Sequence, residues 1–136
     1  MSLFNKIAGY GSMNSNIEHQ IEDYLLDDEV IIMSFTFIRD SIVLTNYGIY
    51  TLDVQGLSGK KVEVKFFPGK NIKSISFESA STFDLDVDIK ISVDGNTAVN
   101  QHGMHHNVPI SFKVPKKQAE EAREIVKLVK KYYLSK

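Results

Sequence analysis

Four short stretches carry residue types and spacings that could do chemistry. GLSGKK, at Gly56 to Lys61, puts two lysines after two glycines in the manner of a phosphate cradle. A phosphate loop, however, needs Gly, four residues, Gly-Lys and then Ser or Thr, with a strand before and a helix after to aim backbone amides at the phosphates. Here the glycines are too close, Lys61 replaces the hydroxyl residue, and VEVKFF continues as a strand. The spacing therefore predicts a hairpin loop between GIYTLDV and KKVEVKFF, with glycine supplying the turn. GYGS, at Gly9 to Ser12, begins like a dinucleotide fingerprint, but no strand precedes it and Asn14 stands where the third glycine belongs.

Asp84, Asp86 and Asp88 have the spacing of the first three ligands of a calcium loop. Ile89 replaces that loop's glycine and Gly95 its closing glutamate. Their alternation with Leu85, Val87, Ile89 and Ile91 reads instead as the exposed face of a half-buried strand, a weak cation site on aligned carboxylates being the other reading. His102, His105 and His106, in DGNTAVNQHGMHHNVP, are candidate zinc or nickel ligands. Adjacent histidines rarely converge on one ion, and no carboxylate lies among them; the stretch 95–108 reads as a long polar loop, a kind of segment that is often functional. There is no Gly-x-Ser-x-Gly elbow and no evident nucleophile and base pair. The expectation is a non-catalytic protein that binds no metal and no cofactor.

The elements that hold these residues are legible from periodicity. With 136 residues, 43% hydrophobic and 24% charged, the chain suits one folded domain. Its net charge of −1 offers no global attraction to nucleic acid, and the lack of cysteine excludes disulfides and thiolate chemistry. No run approaches the roughly 18 apolar residues of a membrane span, and a cytoplasmic protein is expected. Residues 1–14 read as a flexible segment. Ser15 and Glu18 have the spacing of a capping box, predicting a short helix over 16–26 with Ile17, Ile21 and Leu25 on one face. Seven strands follow over 29–114: EVIIMSFTFI, SIVLT, GIYTLDV, KKVEVKFF, IKSISFES, VDIKISVD and VPISFKV. Val62, Val64 and Phe66 alternate with Lys61, Glu63 and Lys65, as in antiparallel sheets with one wet face. PKKQAEEAREIVKLVKKYYLSK closes the chain as an amphipathic helix over 115–134, with Ala119, Ala122, Val126, Val129 and Tyr133 recurring at helical spacing. Glu120 and Glu121 near its start and Lys130 and Lys131 near its end suit the helix dipole.

The run LTNYGIYTLDVQGLSGKKVEVKFFPGKNIKSISFESASTFDLDVDIKISVDG, from Leu44 to Gly95, resembles the bacterial pleckstrin-homology (PH) domain family. That family carries a similar series of T-N, L-D, Q-G-L-x-G-K-K-V-E, I-x-S and T-F-D-L-D. The resemblance implies a mainly β fold with α, a PH-like split β-barrel of seven antiparallel strands capped by the C-terminal helix, and self-association into rings. Relatives place a basic residue after T-N-x, whereas Tyr47 and Gly48 stand here. Eukaryotic PH domains that bind phosphoinositides gather several cations on the first hairpin; FIRDSIV has only Arg39, beside Asp40, so lipid binding is not carried over.

The leading functional expectation is a self-associating interaction scaffold whose partner is itself in a cyclic homo-oligomer, with another protein as a further partner and no nucleic acid. Residues Asn16 to Asp40 carry seven acids and one base, and the last helix is basic. Unlike patches on one surface favour head-to-tail closure. Candidate contact residues are Ile31, Met33, Phe35 and Phe37 on a strand apolar on both faces, with Glu22 and Asp23 of the acidic segment and Lys127 and Lys130 of the basic helix. The alternative is a weak peripheral binder of anionic membrane or ligand through the terminal helix with Lys60 and Lys61. Seven cations against three acids in the C-terminal stretch 115–136, at about 1 kcal/mol each, give about 4 kcal/mol, or roughly millimolar affinity.

Neither ATP nor GTP with magnesium should raise the melting temperature, and purified protein should carry no stoichiometric metal. A ligand at a hundredfold its Kd adds about 2.7 kcal/mol, so thermal melts would reveal it. A clear upward shift, or one zinc per chain by elemental analysis, contradicts the reading.

Overall fold

In a computed structural model, residues 15–37, 40–55, 61–78 and 86–135 are described. The chain divides into two compact units, Met1–Pro68 and Gly69–Lys136.

The first unit holds helix α1 (Ser15–Glu22) and a meander of β1 (Ile31–Phe37), β2 (Asp40–Thr45), β3 (Gly48–Gln55) and β4 (Lys61–Pro68), paired antiparallel in that order. The register sets Phe35 opposite Ile42, Val43 opposite Tyr50, and Tyr50 opposite Phe66. Helix α1 stops four residues short of the predicted Leu26. Tyr24 N–H and Leu25 N–H bond back to Ile21 and Glu22 in tight turns, and Glu29 N–H bonds to Leu26 C=O. Asp23, Asp27 and Asp28 would place negative charge at the helix's negative end, which disfavours its extension. Ile31, Ile32, Met33, Ser34 and Phe35 are all buried, as is Phe37. The two-sided apolarity of β1 is thus used inside the single chain. β4 departs from its alternation: Lys61, Glu63 and Lys65 are exposed as predicted, but Val62 and Val64 are only half-buried and Phe66 is 42% exposed.

The second unit pairs β5 (Ile72–Glu78), β6 (Val87–Val93) and β9 (Ile110–Val114), with β6 central. Ile89, Ile91 and Val93 point inward, and Asp88 faces Lys113 across the β6–β9 ladder at 3.7 Å. The predicted polar loop is in part a two-stranded ribbon, β7 (Thr97–Val99) with β8 (His105–Asn107). Its turn is built by Asn100, whose Oδ1 accepts from the N–H groups of His102 (2.9 Å) and Met104 (3.0 Å), and by Gly103 at φ +78. An asparagine that bonds its own loop and a glycine in the left-handed region are the chemistry of a short hairpin connection. The expected seven-stranded barrel is therefore observed differently. The described strands number nine in three separate sheets, and no ladder among them closes a barrel.

A single turn at Lys116–Gln118 leads into α2 (Ala119–Val129), which continues through a π-helical turn at Lys130–Leu134. Ala122, Ile125, Val129 and Tyr133 are buried, with α2 against β6 and β9 and the π turn against β5. Ile125, not Val126, belongs to this stripe; Val126 sits half-buried at its margin. The fold is mainly β with a C-terminal helix.

Val129 is fully buried and Lys130, its neighbour, is exposed. Val129→Asp should bury an unpaired carboxylate and destabilise by several kcal/mol, so that the protein unfolds or aggregates. Lys130→Asp should change the denaturation midpoint little. Equal effects would show that the buried face is assigned wrongly.

Candidate functional site

The carboxylate of Glu29 is the least expected feature of the first unit. It sits between two acids and a strand in a segment whose composition suggests a solvated turn, yet Glu29 is only 8% exposed. Its Oε1 accepts from the backbone N–H of Leu26 (3.1 Å), and its Oε2 accepts from Thr45 Oγ1 (2.7 Å) and from the Tyr50 hydroxyl (3.0 Å). Thr45 Oγ1 in turn accepts from the N–H groups of Tyr47 (3.1 Å) and Gly48 (3.3 Å), fixing the β2–β3 turn. Beside it, Asn46 closes the other side. Its Oδ1 accepts from Val30 N–H at 2.7 Å, and its Nδ2 donates to Asp28 C=O at 3.0 Å. Tyr47 donates its hydroxyl to Asp28 Oδ2 at 2.6 Å. The Thr-Asn pair of the β2–β3 turn is therefore a clamp on residues 26–30.

No Lys, Arg or His among the described residues lies within ion-pairing distance of Glu29. Burial, and then the bond to Glu29, push the Tyr50 phenol up to about 12. The bond to the Asp28 carboxylate raises that of Tyr47.

Over this network lies a cleft of about 640 Å³, lined by Gln20, Tyr24, Leu26, Glu29, Tyr47, Tyr50, Val62, Val64 and Phe66. The Tyr50 and Phe66 rings form one wall, with centroids 4.7 Å apart and planes at 50°, a tilted arrangement of the kind aromatic pairs prefer. Tyr24 is 72% exposed at the mouth, beside Leu26 and Tyr47. The apolar face of β4, predicted to be core, is the other wall. Sequence reasoning missed this site. Its one available signal was the Thr-Asn pair at a turn following an acidic, cation-free segment.

The second unit has a smaller groove of about 370 Å³, lined by Phe77, Val87, Ala119, Ala122, Arg123, Val126 and Lys127. Phe77 is 56% exposed there, and Arg123 is paired to Glu120 one turn earlier.

The sequence-predicted residues fall as follows. Glu22 and Asp23 are exposed at the end of α1, and Lys127 and Lys130 are exposed on α2 and the turn after it. Ile31, Met33, Phe35 and Phe37 are buried, which removes their side chains from the candidate contact surface. His102, His105 and His106 are exposed. His105 and His106 are neighbours on β8, so their side chains leave opposite faces of the ribbon. Among the described residues no cluster of His, Cys, Asp or Glu could hold a metal. Asp86 is exposed, and Asp84, Lys60, Arg39 and the GLSG and GYGS stretches lie outside the described residues. Lys61 opens β4, and its register with Gln55 makes β3 and β4 an antiparallel pair around GLSGK.

Residues 2–132 match the family described as Bacterial PH domain, and the chain belongs to it. It is 37% identical over 97 residues to the uncharacterized protein YjqA of Bacillus subtilis (strain 168), a match covering 70% of this chain and 78% of that one. A crystal structure of a DUF1696 family protein with a pleckstrin-homology domain from Shewanella loihica PV-4 is similar at TM-score 0.69 and 25% identity, covering 89% of this chain and 94% of the other. A pleckstrin homology domain from Shewanella amazonensis SB2B gives TM-score 0.70 at 25% identity, with 90% of each chain covered. The fold is PH-like. No helix among the described residues is long and apolar enough to cross a membrane.

Tyr50→Phe keeps the ring beside Phe66 and removes one donor from Glu29, so it should cost about 1–3 kcal/mol at neutral pH. A phenol whose folded pKa is raised contributes stability that is complete below its unfolded value of 10 and disappears as pH rises to about 12. Denaturant midpoints should therefore fall across that window in the parent protein and fall less in Tyr50→Phe. Parallel pH profiles would show that the Tyr50–Glu29 bond does not hold in solution.

Proposed function

We propose that this bacterial PH domain is a non-catalytic scaffold of the cytoplasm that associates with copies of itself through unlike surfaces, closing into a ring. The observation that carries the reading is the segregation of charge around exposed apolar side chains. In the first unit Glu22, Asp23, Asp27 and Asp28 are exposed beside exposed Tyr24, Leu26 and Val30. In the second, Arg123, Lys127, Lys130 and Lys131 are exposed beside Phe77 and the half-buried Val126. An apolar patch rimmed by acid and an apolar patch rimmed by base complement each other and not themselves. Such contacts are heterologous, and they end in rings where the rotation closes. Lys127 and Lys130, with Glu22 and Asp23, remain the contact residues of this reading; the apolar part passes from β1 to Tyr24, Leu26 and Phe77.

The non-catalytic part rests on how the polar groups are used. Glu29, Thr45 and Asn46 are committed to holding the fold, and the Tyr47 and Tyr50 hydroxyls are donated to Asp28 and Glu29. A second reading, a weak binder of anionic surfaces through α2, is favoured by the cations at the rim of the Phe77 groove. The acids of residues 22–29 oppose it.

Light scattering coupled to size exclusion should give a mass of several chains, and the Glu22→Lys/Asp23→Lys double variant should lower it. Lys127→Glu/Lys130→Glu should do the same, and combining the two pairs should restore assembly in part. A mass of one chain at every concentration overturns the proposal. Co-sedimentation with anionic vesicles by that single chain, lost as salt is raised, would then favour the surface-binding reading.

A further inference from the structure

We propose that the cleft beside Glu29 is a binding site for a small organic cation, a quaternary or alkylated ammonium head group attached to a larger body. Three features of the cleft converge on this chemistry. Its lining among the described residues includes four aromatic rings, those of Tyr24, Tyr47, Tyr50 and Phe66, and no Lys, Arg or His. A ring's face attracts a cation, and aromatic clusters are the recurrent solution for quaternary ammonium groups, whose weak hydration makes them cheap to strip of water. At the base lies Glu29, a buried carboxylate whose donors among the described residues are all neutral. Buried charges are ordinarily paired with an opposite charge, and Oε1, with one hydrogen bond shown, has a lone pair left to face a cation.

The third feature is preorganisation. The Tyr50 hydroxyl is held by Glu29 and the Tyr47 hydroxyl by Asp28, so two of the rings are set by bonds that the fold already needs. Donation to a carboxylate also leaves each ring richer in electron density, which strengthens its face toward a positive charge. Leu26, Val62 and Val64 complete the wall with apolar surface suited to methyl groups and an attached chain. A volume of about 640 Å³ lies within the range of about 300–1,000 Å³ typical of small-molecule sites and exceeds a bare head group. The occupant is therefore a whole small molecule. A phosphate or carboxylate ligand is disfavoured by the same Glu29 and by the acids at residues 22–28.

The test is titration of the full-length protein, followed through the NMR signals of the cleft residues, with choline, benzyltrimethylammonium and 3,3-dimethylbutan-1-ol, the last being the uncharged isostere of choline. The two cations should bind saturably, benzyltrimethylammonium more tightly, and the isostere at least about tenfold more weakly. Phe66→Leu, which keeps apolar bulk and removes a ring face, should weaken cation binding about tenfold, as should Glu29→Gln. Because Glu29→Gln disturbs the clamp, Tyr24→Ala at an exposed position is the companion variant and should weaken binding while leaving the melting temperature in place. Equal binding of the isostere would make the cleft a plain apolar pocket and overturn the proposal. So would the absence of any saturable change with either cation. Binding of a peptide carrying trimethyl-lysine without binding of choline would place the head group on a protein chain and overturn the small-molecule assignment.

Discussion

The first unit is organised around one buried carboxylate. Moving Glu29 out of water costs several kcal/mol, and hydrogen bonds to a charged group return about 1.5–3 kcal/mol each. With a backbone amide and two hydroxyls bound to it, the two sides roughly offset. The clamp therefore contributes little net stability. Its effect is positional: it joins the turn at 26–29 to the end of β2 and the middle of β3, residues 16 and 21 positions further along the chain.

Much else follows from that fixed position. Tyr50 is held with its hydroxyl inward, so its ring stands against Phe66, its register partner on β4. The short helix α1 ends where the clamped turn begins, and Gln20 and Tyr24 line the cleft together with Val62, Val64 and Phe66 of β4. The half-exposed apolar face of β4 is then a wall of that cleft and not a defect of the core. In the second unit the same exposure recurs at Phe77 on β5, beside α2. Each unit thus leaves apolar surface on an edge strand of its sheet, with acids near one and cations near the other.

What was legible in the sequence was set by local patterns. The seven longer strands were readable because alternation and turn residues are local signals, and each falls where β-branched and aromatic residues cluster. The helical stripe was nearly right, but a period of 3.6 leaves adjacent positions almost equivalent, and only packing chose Ile125 over Val126. The ribbon at His105–Asn107 was hidden because its strands are three residues long and polar; Asn100 and Gly103 held the signal. For β1, composition showed apolarity on both faces correctly but could not show that one chain buries both. The clamp was invisible for a different reason. Its partners are distant in sequence, and in DDEV a buried glutamate looks the same as a solvated one.

Among the described residues phenols, and not cations, answer Asp28 and Glu29, which decides the sign of the field in the cleft. A lysine or arginine at position 47 or 50 would satisfy the same oxygens and neutralise them, with strong charge-assisted bonds. Tyrosine supplies the hydrogen bond and leaves the charge in place. In a site partly shielded from water, uncompensated charge acts at a lower effective dielectric and over a longer range than on the open surface. The negative potential is thus kept where the aromatic faces are gathered, and both act in the same direction on a positive group. Phosphate recognition needs the reverse arrangement, with clustered cations and free amides, and the residues of this clamp have used their amides and hydroxyls on one another. A PH-like fold consequently fixes the scaffold of this protein without fixing the sign of the potential in this cleft, which is set by a glutamate, an aspartate and the tyrosines that bond them.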